Sequence, residues 1–161
     1  MLGLGYPGGP EVSKMAKDGE DTYKLPKTKF EENYDFSFSG VKTAVLNIAN
    51  KEKDKLRKAD MCRSFEQNVA EVLVDHTLAI AKEKNIKQIV LAGGVSANTR
   101  LREELQNKGK ENNIDIYLPE MKYCTDNAAM ITAAGIFKFR EGNFTKDLSL
   151  NAKASMNIEN E

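Results

Sequence analysis

A glycine pair, Gly93-Gly94, stands between an apolar run and a helix-forming segment that contains Asn98. With no side chains in the way, such a turn lets a phosphate approach the unpaired N–H groups of a helix start, and an asparagine in the first turn can hydrogen-bond the same ligand. Tight turning also accounts for a glycine pair without any ligand, and Asn98 can equally be an exposed first-turn residue. A second pair, Gly8-Gly9, lies between Pro7 and Pro10, a stiff turn whose backbone amides can face a nucleotide. A carboxylate, Asp126, sits in Cys124-Thr125-Asp126-Asn127 where the last helix opens. It can bind a metal only with ligands brought from elsewhere. Otherwise Thr125 or Asp126 caps that helix and answers its dipole.

Other reactive residues point away from chemistry. His76 is the single histidine and falls beside Val72 and Leu73 on an apolar helix face, which suits a structural role. No nucleophile motif surrounds it, so a Ser-His-Asp or Cys-His reading has no support. Cys62 and Cys124 lack CxxC spacing and read as reduced thiols.

The elements that must position these residues follow from periodicity. Residues 1 to 35 are mostly loop, with one short helix over 10 to 17 between turn signals. Residues 35 to 40 alternate aromatic and polar side chains as a short strand or extended segment does, and helical spacing follows over 41 to 49 with Ser39 as N-cap. The mixed charges of 51 to 60 read as a solvated helix end or linker. Phe65, Val69, Val72, Leu73, His76 and Ile80 recur along one face of a long helix over 59 to 84. A buried strand over 86 to 92, the glycine turn, and a helix over 96 to 109 with Ala97, Leu101 and Leu105 inward come next. A second strand over 114 to 118 and an Ala/Met-rich helix over 127 to 139, able to pack closely against a sheet, complete a β, α, β, α order that implies an α/β architecture with parallel strands. Two strands are too few for a stable parallel sheet, so the sheet reads as incomplete. The segments divide as 1–85, mostly helical; 86–144, the βαβα part; and 145–161, a polar tail.

Lys plus Arg and Asp plus Glu both number 24, so no net basic field advertises nucleic acid, and any such contact must be local. No apolar run approaches the length of a membrane span, and the first residues carry no secretory pattern, which implies a cytoplasmic address and no membrane role.

Taken together, YPGGPEVSKMA at 6–16, FSFSGVKTA at 36–44, LAGGVSANTRLR at 91–102 and YCTDNAAMITAAG at 123–135 resemble, in wording and order, the TsaD family, long labelled O-sialoglycoprotein endopeptidases. The resemblance implies transfer of a threonylcarbamoyl group from threonylcarbamoyl-AMP to N6 of the adenosine beside the tRNA anticodon. It implies part of an actin/Hsp70/sugar-kinase-like (ASKHA, RNase H-like) lobe, with the first strands and the amino-terminal lobe missing. It assigns Gly9 and Asn98 to a nucleotide ligand, threonylcarbamoyl-AMP or ATP, and Asp126 to iron or zinc; the glycine turns add Gly8, Gly93 and Gly94 as candidate contacts of the same nucleotide.

The chain departs from the family pattern in ways that matter. No HxxxH occurs, although the family takes two further metal ligands from it, and the SGGHT loop and a DDAAGEAFDK-like segment are also absent. Many relatives carry an aspartate four residues after the second PGG glycine, where this chain has Ser13. The chain therefore reads as a carboxy-terminal fragment with a truncated start, inactive alone, weak in metal binding and prone to self-association at its bare sheet edge. Its partners in the full enzyme would be tRNA and other proteins of the threonylcarbamoyladenosine synthesis complex. Rival readings are a nucleotide-binding lobe of another ASKHA ATPase or kinase and a non-catalytic docking module of the tRNA-modification complex.

Overall fold

The computed structural model describes residues 2–27, 35–152 and 154–155. They divide into two compact units, Met1–Cys124 and Thr125–Glu161. Parts of the expected loop (28–34) and tail (153 and 156–161) lie outside the described residues.

The first unit is built on α3, Lys58–Glu83. Ala70, Val74, Leu78 and Ala81 follow one another at helical spacing and form a continuous stripe. That stripe meets Leu101 and Leu105 of α4, Thr99–Glu111, together with Ile114. Ile89 of β1, Gln88–Val90, and Ile116 of β2, Asp115–Tyr117, pack against the same core. Removing a leucine side chain from water here contributes roughly 1.5–3 kcal/mol. Elements from both sides of residue 85 thus share one core.

The strands pair in parallel, with Gln88 opposite Asp115, Ile89 opposite Ile116 and Val90 opposite Tyr117. Parallel strands need a crossover, and α4 supplies it. Gly109 lets α4 approach β2 closely, since a Cβ there would stand 2.5 Å from Ile116 Cγ1. The expected buried strand over 86 to 92 is corrected: β1 is shorter, only Ile89 and, just beyond β1, Leu91 pack against the core, and Val90 is 73% exposed. Successive strand residues point to opposite faces, and the described core covers one face of this sheet.

Helix α1, Gly8–Ala16, lies along α3 and buries Ala16. The loop after it is fastened by a polar row on α3 at 60, 64 and 68. Asp60 accepts from the Glu20 N–H at 3.2 Å and the Thr22 hydroxyl at 2.9 Å. Ser64 Oγ accepts from the Tyr23 N–H at 3.0 Å, and Asn68 donates to the Leu25 carbonyl at 3.1 Å. These bonds give loop backbone groups the partners that regular structure would otherwise provide. The solvated reading of 51 to 60 is corrected at its end, because Asp60 is buried.

Residues 35–38 form no strand; the Phe36 and Phe38 rings stack with centroids 6.4 Å apart, and Phe36 meets the His76 ring edge-on at 4.7 Å. Helix α2, Ser39–Glu52, buries Val41 and Val45. Phe38, not Ser39, holds its N-cap position, and Ser39 is already helical, its carbonyl accepting from the Thr43 hydroxyl at 3.1 Å.

The second unit contains α5, Ala128–Arg140. Its N-cap is Asn127, whose Oδ1 accepts from the Met130 N–H at 3.0 Å, so neither Thr125 nor Asp126 caps it. None of its side chains is buried. No helix among the described residues is long and apolar enough to cross a membrane.

Candidate functional site

Helix α1 begins at Gly8 behind Pro7, which has no side-chain group to bond its first amides. The Glu11 N–H reaches the Pro7 carbonyl at 3.5 Å. Pro10 has no N–H, so the orphan donors that open a helix belong here to Gly8 and Gly9. A Cβ on either would meet nothing within 4 Å. Gly19 and Gly109 differ: a Cβ on Gly19 would run into the Ala59 backbone, and one on Gly109 into Ile116. Glycine in a helix costs roughly 0.5–1 kcal/mol relative to alanine. Close packing within the chain accounts for Gly19 and Gly109 but not for Gly8 and Gly9.

Both of these glycines open onto a recess of about 340 Å³ that also takes in Ser13, Glu66, Val95 and Asn98. Three elements supply its polar side chains. Ser13 lies one helical turn beyond Gly9 on α1, Glu66 comes from α3, and Asn98 is the N-cap of α4. The Ser13 hydroxyl donates to Glu66 Oε1 at 2.5 Å, and Asn98 Nδ2 donates to the same oxygen at 2.7 Å. Asn98 Oδ1 accepts from the Leu101 N–H at 2.8 Å. One end of the Asn98 amide therefore secures the helix while the other serves the recess. The helix expected from Ser96 starts later because residues Gly94–Ala97 form a single 3₁₀ turn first. Within α3, burial pushes the Cys62 thiol up, and the charge of Glu66 adds to that. Both cysteines are free thiols.

Gly93 and Gly94 do not line this recess. Gly93 has φ 87° and ψ 173°, a backbone conformation open essentially to glycine alone. Its carbonyl accepts from the Ser96 N–H at 2.9 Å, so the turn closes on itself. Arg102 then fixes the turn in place, donating to the Ser96 carbonyl at 2.5 Å, the Pro119 carbonyl at 2.7 Å and Cys124 Sγ at 3.2 Å.

Asp126 is an exposed residue of the second unit. Among the described residues no group of three or more His, Cys, Asp or Glu side chains is placed to hold a metal. One carboxylate does not fit iron or zinc, whose affinity and geometry come from several converging donors. A larger recess of about 670 Å³, walled by Leu2, Leu4, Val12, Phe38, Val45 and Phe65, contains Gly8 but not Asn98. It also takes in Ser39 and the cation Lys42, but of the residues assigned to the nucleotide it holds only Gly8.

Glu66 and Ser13 are the site residues that sequence reasoning left out. Glu66 falls in register with Cys62, Val69 and Leu73 on α3, and a charge inside an apolar stripe is the signal that marks it.

The family model for TsaD, tRNA N6-adenosine threonylcarbamoyltransferase, matches residues 1–133. A protein of that name from Clostridium kluyveri is 45% identical over 163 residues, covering 98% of this chain and 48% of its own length. Another from Caldicellulosiruptor saccharolyticus is 47% identical over 155 residues, covering 94% and 46%. The chain thus spans about half the length of these relatives. Among solved structures, that of HypF from T. kodakarensis superposes with a TM-score of 0.60 at 19% identity, over 91% of this chain and 19% of HypF. The shared fold is a partial ASKHA-like α/β lobe with a parallel sheet.

Proposed function

The chain belongs to the TsaD family of tRNA N6-adenosine threonylcarbamoyltransferases, and from that membership we propose that it supplies part of a site for an adenine nucleotide, threonylcarbamoyl-AMP or ATP. The observation that supports this reading is that Gly8, Gly9 and Asn98 line one recess. In the full enzyme the N6 amine of a tRNA adenosine would form a bond to the carbamoyl carbon, losing a proton, while the bond to the AMP phosphate oxygen breaks. The Gly8 and Gly9 amides, at the positive end of α1, would meet the phosphate whose charge grows as AMP departs. Asp126 would give one carboxylate to iron or zinc, with the remaining ligands coming from outside the described residues. By itself the chain is proposed to be inactive in transfer and weak in metal binding. Gly93 and Gly94 are proposed to shape the turn that carries Asn98 and to lie near the same ligand.

The test is calorimetric titration of ATP into the chain and into Gly9→Val. Space is open at Gly9, so the variant should keep its circular dichroism, while its side chain fills the recess and weakens binding at least about tenfold. Equal affinity for both proteins would contradict the proposal.

A second reading, a docking part of a tRNA-modification complex in the cytoplasm, is favoured by α5, where Ile131 is 75% exposed and Phe139 67% exposed. Apolar surface of that kind calls for a partner. The strand edges left unpaired among the described residues favour self-association as well. Light scattering should give a mass above the 17.9 kDa of one chain; a monomer across the working concentration range would count against it.

A further inference from the structure

Among the described residues, Glu66 is the one charged side chain lining the smaller recess. A carboxylate beside Phe65, Val69 and Leu73 is costly unless donors reach it. Ser13 and Asn98 do so, and both bond Oε1, at 2.5 and 2.7 Å. Oε2 receives no hydrogen bond from the described residues, so half of the accepting capacity of this group is left for a ligand. Its charge repels phosphate oxygens, so a nucleotide entering the recess must turn a hydrogen-bond donor toward it. The paired hydroxyls of a ribose are such donors, and an acidic side chain is a common partner for them. Spacing agrees: Ser13, bonded to Glu66, stands about 6 Å along the α1 axis from Gly9. One helix face thereby separates an end that suits phosphate from an end that suits sugar.

We infer that Glu66 is a specificity-determining residue that reads the ribose hydroxyls of a bound adenine nucleotide through Oε2. This rests on the nucleotide-binding reading proposed above, and the two can fail separately.

The experiment compares ATP with 2′,3′-dideoxy-ATP by calorimetry, on the chain and on Glu66→Gln. The unaltered chain should prefer ATP by roughly tenfold or more, the scale of a hydrogen bond to a charged group. Glu66→Gln should weaken ATP and leave the dideoxy compound unchanged, so that the preference collapses. Should that variant fail to fold, the unaltered chain alone decides. If it binds both nucleotides equally, the role of Glu66 is overturned and the nucleotide site stands. If Glu66→Gln folds and retains the full preference, the role is likewise overturned. If the chain binds no ATP, both readings fall.

Discussion

Gly9 and Gly109 are both helical glycines, and their surroundings set them apart. A Cβ at Gly109 would meet Ile116 Cγ1 at 2.5 Å and the Ile114 carbonyl at 3.1 Å, whereas at Gly9 it would meet nothing within 4 Å. Gly109→Ala should therefore lower the Tm, at a cost of about 1–3 kcal/mol from overpacking. Gly9→Ala should leave the Tm unchanged or raise it, since alanine is the better helix former by up to about 1 kcal/mol. Thermal unfolding of the two variants side by side checks this; equal losses would mean that Gly9 is packed like Gly109. The glycine pairs were legible in the sequence because glycine is conspicuous, but their reasons were not. Gly93 satisfies a positive φ, Gly109 a close approach, and Gly8 and Gly9 neither. Glu66 escaped notice for the opposite cause: its neighbours along the chain are ordinary helix residues, and its meaning comes from Ser13 and Asn98, which are far away in sequence.

At the scale of elements, α3 was legible in extent, its observed span Lys58–Glu83 falling one residue from the expected 59 to 84 at each end, but not in its core face: Ala70, Val74, Leu78 and Ala81 form the core, while Phe65, Val69, Leu73, His76 and Ile80 are half-buried. A strong helical period over many turns identifies the helix, but which face meets the core depends on what packs there. What periodicity does not reveal is the polar row at 60, 64 and 68, through which α3 holds the preceding loop. Burial pushes the Asp60 carboxyl up, but the Glu20 amide, the Thr22 hydroxyl and the Arg57 guanidinium together outweigh it and keep its pKa below the ordinary 3.8. The unfolded chain thus takes up this proton first as pH falls. The contribution to stability is fully present above the unfolded value and disappears as pH drops through the folded one. Thr22→Val removes one of the stabilising bonds, so its acid-unfolding midpoint should move to higher pH, followed by circular dichroism. An unchanged midpoint would mean that the bond from Thr22 does not hold the carboxylate in its charged form. The strands were legible in order and direction but not in burial, because exposure depends on what covers the second face, and alternation within three residues carries little of that information.

For the molecule as a whole, the two units carry different parts of the expected site: Gly8, Gly9 and Asn98 belong to the first and Asp126 to the second. The family resemblance assigned Gly9 and Asn98 to a nucleotide and Asp126 to a metal, while the physics of this chain brings together only the first group, through a shared recess. The central claim is that this recess receives a nucleotide, and the most direct measurement is a titration of ATP followed by ¹H–¹⁵N correlation spectra of the chain. Shifts concentrated on the amides of Gly8, Gly9 and Ser13 and on the side chain of Asn98, saturating together, are the expected result. Saturable shifts confined to residues away from α1 and the start of α4, or no shifts at millimolar ATP, would contradict it.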